Sequence, residues 1–139
     1  MGARESARIL VIGGGAIGGV MAARLTRTGH DVMVLDAYSA HVDLMRDPGL
    51  VVDFVGEMDI IPLNAVSDVS RLSGTFDFGL VTLKAPHIRT ALEPLVAMGC
   101  VDTFVALGNG LVQDSIQEVV GPEKLLVGTV SWGATNLGP

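Results

Sequence analysis

The feature that most constrains this chain is an apolar run, Ile9 to Ile12, that ends directly in glycines and is followed at once by an amphipathic pattern. Glycines 13, 15 and 18 fit the spacing G-x-G-x-x-G, with Gly14, Ala16 and Ile17 between them. In a strand–turn–helix unit each glycine has its own reason. Gly13 permits the tight turn, Gly15 lets a pyrophosphate approach the backbone, and Gly18 lets the helix pack closely on the strand. The phosphates would lie on free N–H groups at the positive end of that helix. Alone, the glycine spacing is a weak signal; lodged between a strand and a helix it becomes a strong one for a bound dinucleotide.

A chain of 139 residues has room for one domain with a sizeable core. Hydrophobic residues at 49% and charged ones at 17% suit buried parallel strands. The 18 glycines gather at strand ends and not in a low-complexity tract, which excludes disordered and collagen-like readings. The formal net charge of −6, with no basic run, argues against nucleic acid as a partner. Cys100 is the single cysteine, so no internal disulfide or cysteine-rich metal site is expected, and a buried structural thiol in a reducing, cytoplasmic setting is. Residues 1–7 read as a short polar leader. The apolar run behind it is too short for a signal peptide or a membrane span.

After the glycines, Ile17, Val20, Met21 and Leu25 mark a helical face, with Arg24 and Arg27 toward solvent and Gly29 as the stop. Asp31 to Asp36 is a second strand, ending in an acid eighteen positions after Gly18. Strand, turn, helix and strand make one right-handed βαβ unit of roughly 30 residues. A short helix is expected across Ala40 to Arg46, closed by the turn Asp47-Pro48-Gly49. Leu50 to Val55 and Glu57 to Pro62 suggest a hairpin around Gly56, and Asn64 to Leu72 a short helix. Further strands are expected at Asp77 to Lys84, Val101 to Leu107 and Lys124 to Trp132. Helices fall between them, one from Ala85-Pro86 to about Met98 and one through Val112, Ile116 and Val119. The expected architecture is α/β: a doubly wound, mostly parallel Rossmann-type sheet with helices on both faces.

Three side chains stand at strand ends, where such sheets gather their ligands. Asp36 is placed to accept both ribose hydroxyls of NAD; a 2′-phosphate there would bring like charge within a few Å, worth roughly 1–4 kcal/mol against NADP. Lys84 suits a phosphate, a carboxylate or a carbonyl oxygen. Asn109 lies between two glycines, where turn geometry alone also favours asparagine. His41 and His87 are lone histidines near helix starts without partners at metal-ligand spacing, and they read as surface or packing residues. No metal site is expected. Trp132 reads as core or interface.

Four segments together resemble the N-terminal domain of the ketopantoate reductase family, in order and at similar spacing. They are Gly13-Gly-Gly-Ala-Ile-Gly18, Val81-Thr-Leu-Lys84-Ala85, Leu107-Gly-Asn109-Gly110-Leu111, and Val127-Gly-Thr-Val-Ser-Trp-Gly-Ala134. The resemblance implies reduction of a 2-keto acid by hydride from a nicotinamide, with ketopantoate the substrate of the founding members and pantothenate biosynthesis the setting. It also implies that Lys84 and Asn109 face cofactor and substrate, and that the backbone near Ala134 lines the nicotinamide end.

Departures from the family pattern sharpen that expectation. Where the family commonly has an arginine after the second strand and favours NADPH, this chain reads Asp36-Ala37, which favours NAD over NADP. A glutamine common three positions after the lysine is His87 here. The family's helical second domain, which supplies the general acid, is absent from residues 1–139, so the chain is expected to bind cofactor without efficient turnover. An exposed face where that domain would dock makes self-association a further expectation. Three alternatives compete: a non-catalytic NAD(P)-sensing module, the cofactor domain of another two-domain hydroxy acid dehydrogenase, and, further off, a methyltransferase. The last commonly carries an acid before its glycines, where this chain has Val11-Ile12.

Overall fold

A computed structural model describes residues 6–107 and 112–135. Among them, twelve strands and α-helices follow in the order β1 (Arg8–Ile12), α1 (Ala16–Arg27), β2 (Asp31–Leu35), α2 (Ser39–Leu44), β3 (Leu50–Phe54), β4 (Glu57–Ile61), β5 (Asn64–Val66), β6 (Phe76–Val81), α3 (Ile88–Met98), β7 (Val101–Ala106), α4 (Val112–Val120) and β8 (Leu125–Val127). Six strands make one sheet in the order β5-β2-β1-β6-β7-β8, every pairing parallel. Strands β3 and β4 form a separate antiparallel ribbon, the hairpin the sequence suggests around Gly56. No described helix is long and apolar enough to cross a membrane.

The continuous apolar run of β1 has a plain cause. Ile9 and Val11 enter the core on one face of the sheet and Leu10 and Ile12 the core on the other, so the strand is buried on both sides. The first core is shared with α1, α2 and the ribbon, through Ala22, Ala23, Val42, Val52 and Ile61. The second is shared with α3 and α4, through Ile88, Leu92, Leu95 and Ile116.

Helix α1 departs from the expected packing. Ile17, Val20, Met21 and Leu25 are only half-buried, and the fully buried positions are Gly18, Gly19, Ala22 and Ala23. Small residues let the helix lie close against the sheet, while Val20, Met21 and Leu25 turn toward the ribbon side of the core. Arg24 and Arg27 are exposed as expected, yet they stack 4.5 and 5.8 Å from the Phe54 ring, and Arg27 reaches Asp59 at 3.3 Å. The ribbon is thereby tied across the solvent side of α1.

Two other expectations are corrected. Asn64 to Leu72 is not one helix. Its first residues pair with β2 as strand β5, and a single 3-10 turn, Val69–Arg71, follows. Asp68 caps that turn by accepting the Ser70 N–H at 2.8 Å, which holds its carboxyl below the ordinary carboxylate range. The last strand is also shorter than Lys124 to Trp132. Pairing with β7 covers only Leu125–Val127, and after the Gly128 N–H bond to the Ala106 carbonyl the chain leaves the sheet. The Asp47-Pro48-Gly49 turn is present. Gly49 has φ +129°, and a Cβ there would lie 2.6–2.8 Å from the backbone of Ile61 and Pro62.

Candidate functional site

The strand order reverses between β1 and β6: the chain runs outward through β2 and β5, then returns to start β6 on the other side of β1. Open parallel sheets leave a crevice at the carboxyl ends of the strands where this happens. The glycine turn, residues 13–15, sits at that end of β1 and leads directly into α1.

Its first two glycines have every backbone polar group engaged. The Gly13 N–H donates to the Leu35 carbonyl at 2.9 Å, and the Gly14 N–H to Asp36 Oδ2 at 2.7 Å. The Thr82 hydroxyl, with one hydrogen to give, lies 2.8 Å from the Gly13 carbonyl oxygen; the His41 ring Nε2 lies 2.6 Å from that of Gly14. A carbonyl only accepts, so Nε2 carries the hydrogen. From Gly15 the pattern changes. The Gly15 carbonyl accepts the Gly19 N–H, while the N–H groups of Gly15, Ala16 and Ile17 have no protein acceptor among the described residues. No side chain caps α1 and no acid stands in its first turn.

The glycines differ in what demands them. Gly13 has φ +105°, a region disfavoured for residues with a Cβ. At Gly18 a Cβ would collide with the Gly13 carbonyl oxygen and stand 2.6 Å from Thr82 Oγ1. At Gly14 it would press on Asp36, Met45 and Val34 at 3.0–3.2 Å. Gly15 is different: it is exposed, has φ −71°, and a Cβ there meets nothing within 4 Å. Among the described residues nothing requires glycine at 15.

Asp36 follows β2 and is half-buried. Besides the Gly14 N–H on Oδ2 it accepts the Tyr38 N–H on Oδ1 at 2.8 Å. An ionised carboxylate offers about four lone-pair sites, so about two remain, one on each oxygen. The acid is thus part of the turn's scaffold and still has acceptor capacity for hydroxyl groups.

A groove of about 980 Å³ opens beside the turn, lined by Gly14, Gly15 and Ala16, by His41, by α1 and the ribbon, and by the segment Trp132 to Thr135. Ala134 therefore joins the glycines at one surface, carried there by the chain that leaves β8. Trp132, expected in a core or an interface, is 44% exposed on the same groove wall. Lys84 is exposed two residues beyond Thr82, on the same carboxyl edge, and begins the 3-10 turn Ala85–His87. His87 is exposed as well. Asn109 lies outside the described residues. The structure thus gathers Gly13, Gly14, Gly15, Ala16 and Asp36 with Ala134, and puts Ile17 in the first turn of α1 and Lys84 at the neighbouring strand end.

Two residues that support the turn carry no motif of their own in the sequence. Thr82 lies within Val81-Thr-Leu-Lys84-Ala85, but nothing there marks its hydroxyl as a strut for the turn. His41, expected on the surface or in packing, is 7% exposed and makes a polar contact to the turn. The sequence signal is the spacing: His41 and Met45 stand four apart, on one face of a helix, and the structure buries both.

The sequence pattern of the ketopantoate reductase PanE/ApbA family matches residues 9–139. A 2-dehydropantoate 2-reductase of Mesorhizobium japonicum is 30% identical over 116 residues, covering 83% of this chain and 35% of the relative. One of Streptococcus pyogenes serotype M3 is 25% identical over 133 residues, covering 94% of this chain and 43% of the relative. The chain thus spans less than half the length of these relatives. Among solved structures, D-mandelate dehydrogenase with NADH and anilino(oxo)acetate superposes with a TM-score of 0.82 at 25% identity, covering 95% of this chain and 43% of that one. The 2-dehydropantoate 2-reductase of Geobacter metallireducens GS-15 gives 0.68 at 28% identity, over 86% and 40%. Strand order, glycine turn and sequence match agree, and the chain belongs to the ketopantoate reductase PanE/ApbA family.

Proposed function

We propose that this chain is the nicotinamide dinucleotide-binding domain of an oxidoreductase that reduces a 2-keto acid to a 2-hydroxy acid, and that its dinucleotide is NAD. The observation that carries the reading is the one-sided wiring of the glycine turn. Gly13 and Gly14 spend all their backbone groups on the protein, whereas the N–H groups of Gly15, Ala16 and Ile17 have no protein acceptor among the described residues, and the space around Gly15 is open. That is a cradle for an anion, and the uncapped start of α1 adds its dipole.

In this reading Gly13 to Gly18, with Ala16 and Ile17, hold the pyrophosphate, and Asp36 accepts the adenosine ribose hydroxyls with its two remaining lone-pair sites. The negative charge of Asp36 disfavours a 2′-phosphate. NADH in the related D-mandelate dehydrogenase structure supports the same choice. Lys84, Asn109 and the backbone at Ala134 orient the reacting ends. The dinucleotide supplies the hydride; the chain's own residues bind and orient, and the proton for the product hydroxyl comes from outside residues 1–139. Its relatives' names, 2-dehydropantoate 2-reductase and D-mandelate dehydrogenase, support a keto or hydroxy acid substrate.

The test is a titration of the chain with NADH and NADPH, followed by nicotinamide fluorescence. Saturable binding with NADH preferred is expected. No affinity for either at millimolar concentration would sink the reading, and a preference for NADPH would overturn the role given to Asp36.

A further inference from the structure

The Gly14–Gly15 peptide poses a problem that its glycines create. Neither neighbour has a Cβ, so rotating this peptide plane by half a turn meets little steric resistance. The two orientations have opposite consequences. In a trans peptide the C=O and the N–H point in opposite directions. With the Gly14 carbonyl directed inward, the Gly15 N–H faces the exposed side of the turn; flipped, the carbonyl oxygen would face any anion there and repel it.

Among the described residues, one side chain hydrogen-bonds this carbonyl. His41, on α2, is 7% exposed, forms part of the groove wall beside the turn, and brings Nε2 to 2.6 Å from the Gly14 oxygen. On the other side of the same residue, Asp36 holds the Gly14 N–H at 2.7 Å. Met45, one helical turn beyond His41, closes on Gly14 from beneath, 3.1 Å from where a Cβ would stand.

We propose that His41 is a positioning residue for the dinucleotide: by donating Nε2–H to the Gly14 carbonyl it selects the peptide orientation that turns the Gly15 N–H outward to the pyrophosphate. The proposal rests on the dinucleotide reading above and adds to it a residue that never touches the ligand. A donor buried at that point stabilises the carbonyl-in state, whereas the flipped state can bond to His41 only after the ring hydrogen has moved from Nε2 to Nδ1. The turn is then preorganised, and binding does not have to select one of two orientations.

The test compares His41→Leu, which keeps bulk without a donor, with His41→Gln, whose amide nitrogen reaches about as far as Nε2. Two readouts are used on the chain. In NADH titrations, His41→Leu is expected to bind at least tenfold more weakly, and His41→Gln within about threefold of wild type. In the ligand-free chain, the Gly15 amide should give one sharp nitrogen–proton resonance in wild type and His41→Gln. It should be broadened or doubled in His41→Leu, as the peptide exchanges between orientations. Wild-type affinity in His41→Leu, or equal loss in Leu and Gln variants that both fold, would overturn the proposal. Should His41→Leu fail to fold, His41→Asn replaces it: its amide is too short to reach, so it should weaken NADH binding where Gln does not, and equal affinities would refute the role. If wild type binds no dinucleotide, the proposed function fails, while the Gly15 resonance still decides what His41 does.

Discussion

Two substitutions of the same kind, three positions apart, separate what the fold requires from what a ligand requires. In Gly18→Ala the new methyl meets the Gly13 carbonyl and Thr82 Oγ1, so either α1 must lift off the sheet or the turn must shift. Overpacking of that sort costs about 1–3 kcal/mol. For a domain of this size each kcal/mol moves the unfolding midpoint by about 4 °C, so a fall of about 4–12 °C is expected. In Gly15→Ala the methyl meets nothing within 4 Å and φ is −71°. Two small effects oppose each other there: a poorer helix cap, about 0.5–1 kcal/mol against alanine, and a less flexible unfolded chain, about 0.4–1 kcal/mol in its favour. Its midpoint should therefore stay within about 3 °C of wild type. The methyl does, however, project into open space at the turn, where a pyrophosphate must come close to the backbone. Losing even one charge-assisted hydrogen bond of about 1.5–3 kcal/mol weakens NADH binding at least tenfold, since tenfold is about 1.4 kcal/mol. Thermal melts without ligand and NADH fluorescence titrations read the two quantities separately. A folded Gly15→Ala chain that binds NADH like wild type would refute the reasoning, as would one that melts below Gly18→Ala.

Asp36→Ser removes the like charge that opposes a 2′-phosphate and should narrow the preference for NADH over NADPH by tenfold or more in parallel titrations. It also strips the Gly14 and Tyr38 N–H groups of their acceptor, so a stability loss of about 1–3 kcal/mol should accompany it in urea unfolding. Thr82→Val keeps the shape but leaves the Gly13 carbonyl without its donor. A loss of about 1–2 kcal/mol is expected by denaturant unfolding, with Thr82→Ser recovering most of it. Burial pushes the Cys100 thiol above its ordinary value, so it should react slowly with an aromatic disulfide reagent at mildly alkaline pH and quickly in denaturant. Because the native chain keeps that proton where the unfolded chain releases it, the Cys100 contribution to stability is intact at neutral pH. It falls as pH climbs past the ordinary thiol range, which pH-dependent melts would detect against Cys100→Ala.

The doubly wound sheet was legible because its strands are apolar on both faces and glycine or proline marks many of their ends. Ile9 to Ile12 and Val101 to Leu107 need no neighbour to be recognised. What failed did so where tertiary pairing overrides local pattern. Asn64 to Val66 has no strand signature of its own, yet it completes the edge beside β2. The apolar stretch ending at Trp132 looks like strand throughout, but β7 offers partners only as far as Val127. In α1 the large apolar residues advertised a buried face, whereas close approach to the sheet selects the smallest ones.

The turn itself shows the same division more sharply. Its glycines are visible in one dimension; what holds them is not. The four groups that fix Gly13 and Gly14 come from the end of β2 (the Leu35 carbonyl), the loop after it (Asp36), α2 (His41) and the segment after β6 (Thr82). The most distant in sequence, Thr82, is 69 residues from Gly13. A glycine motif excised with its own strand and helix would lack all of these and, with glycines free to rotate, would present its N–H groups in no fixed direction. The geometry that a pyrophosphate needs is therefore a property of the assembled sheet. It follows that ligand affinity should fall with damage at residues, such as Thr82, that a motif search would pass over.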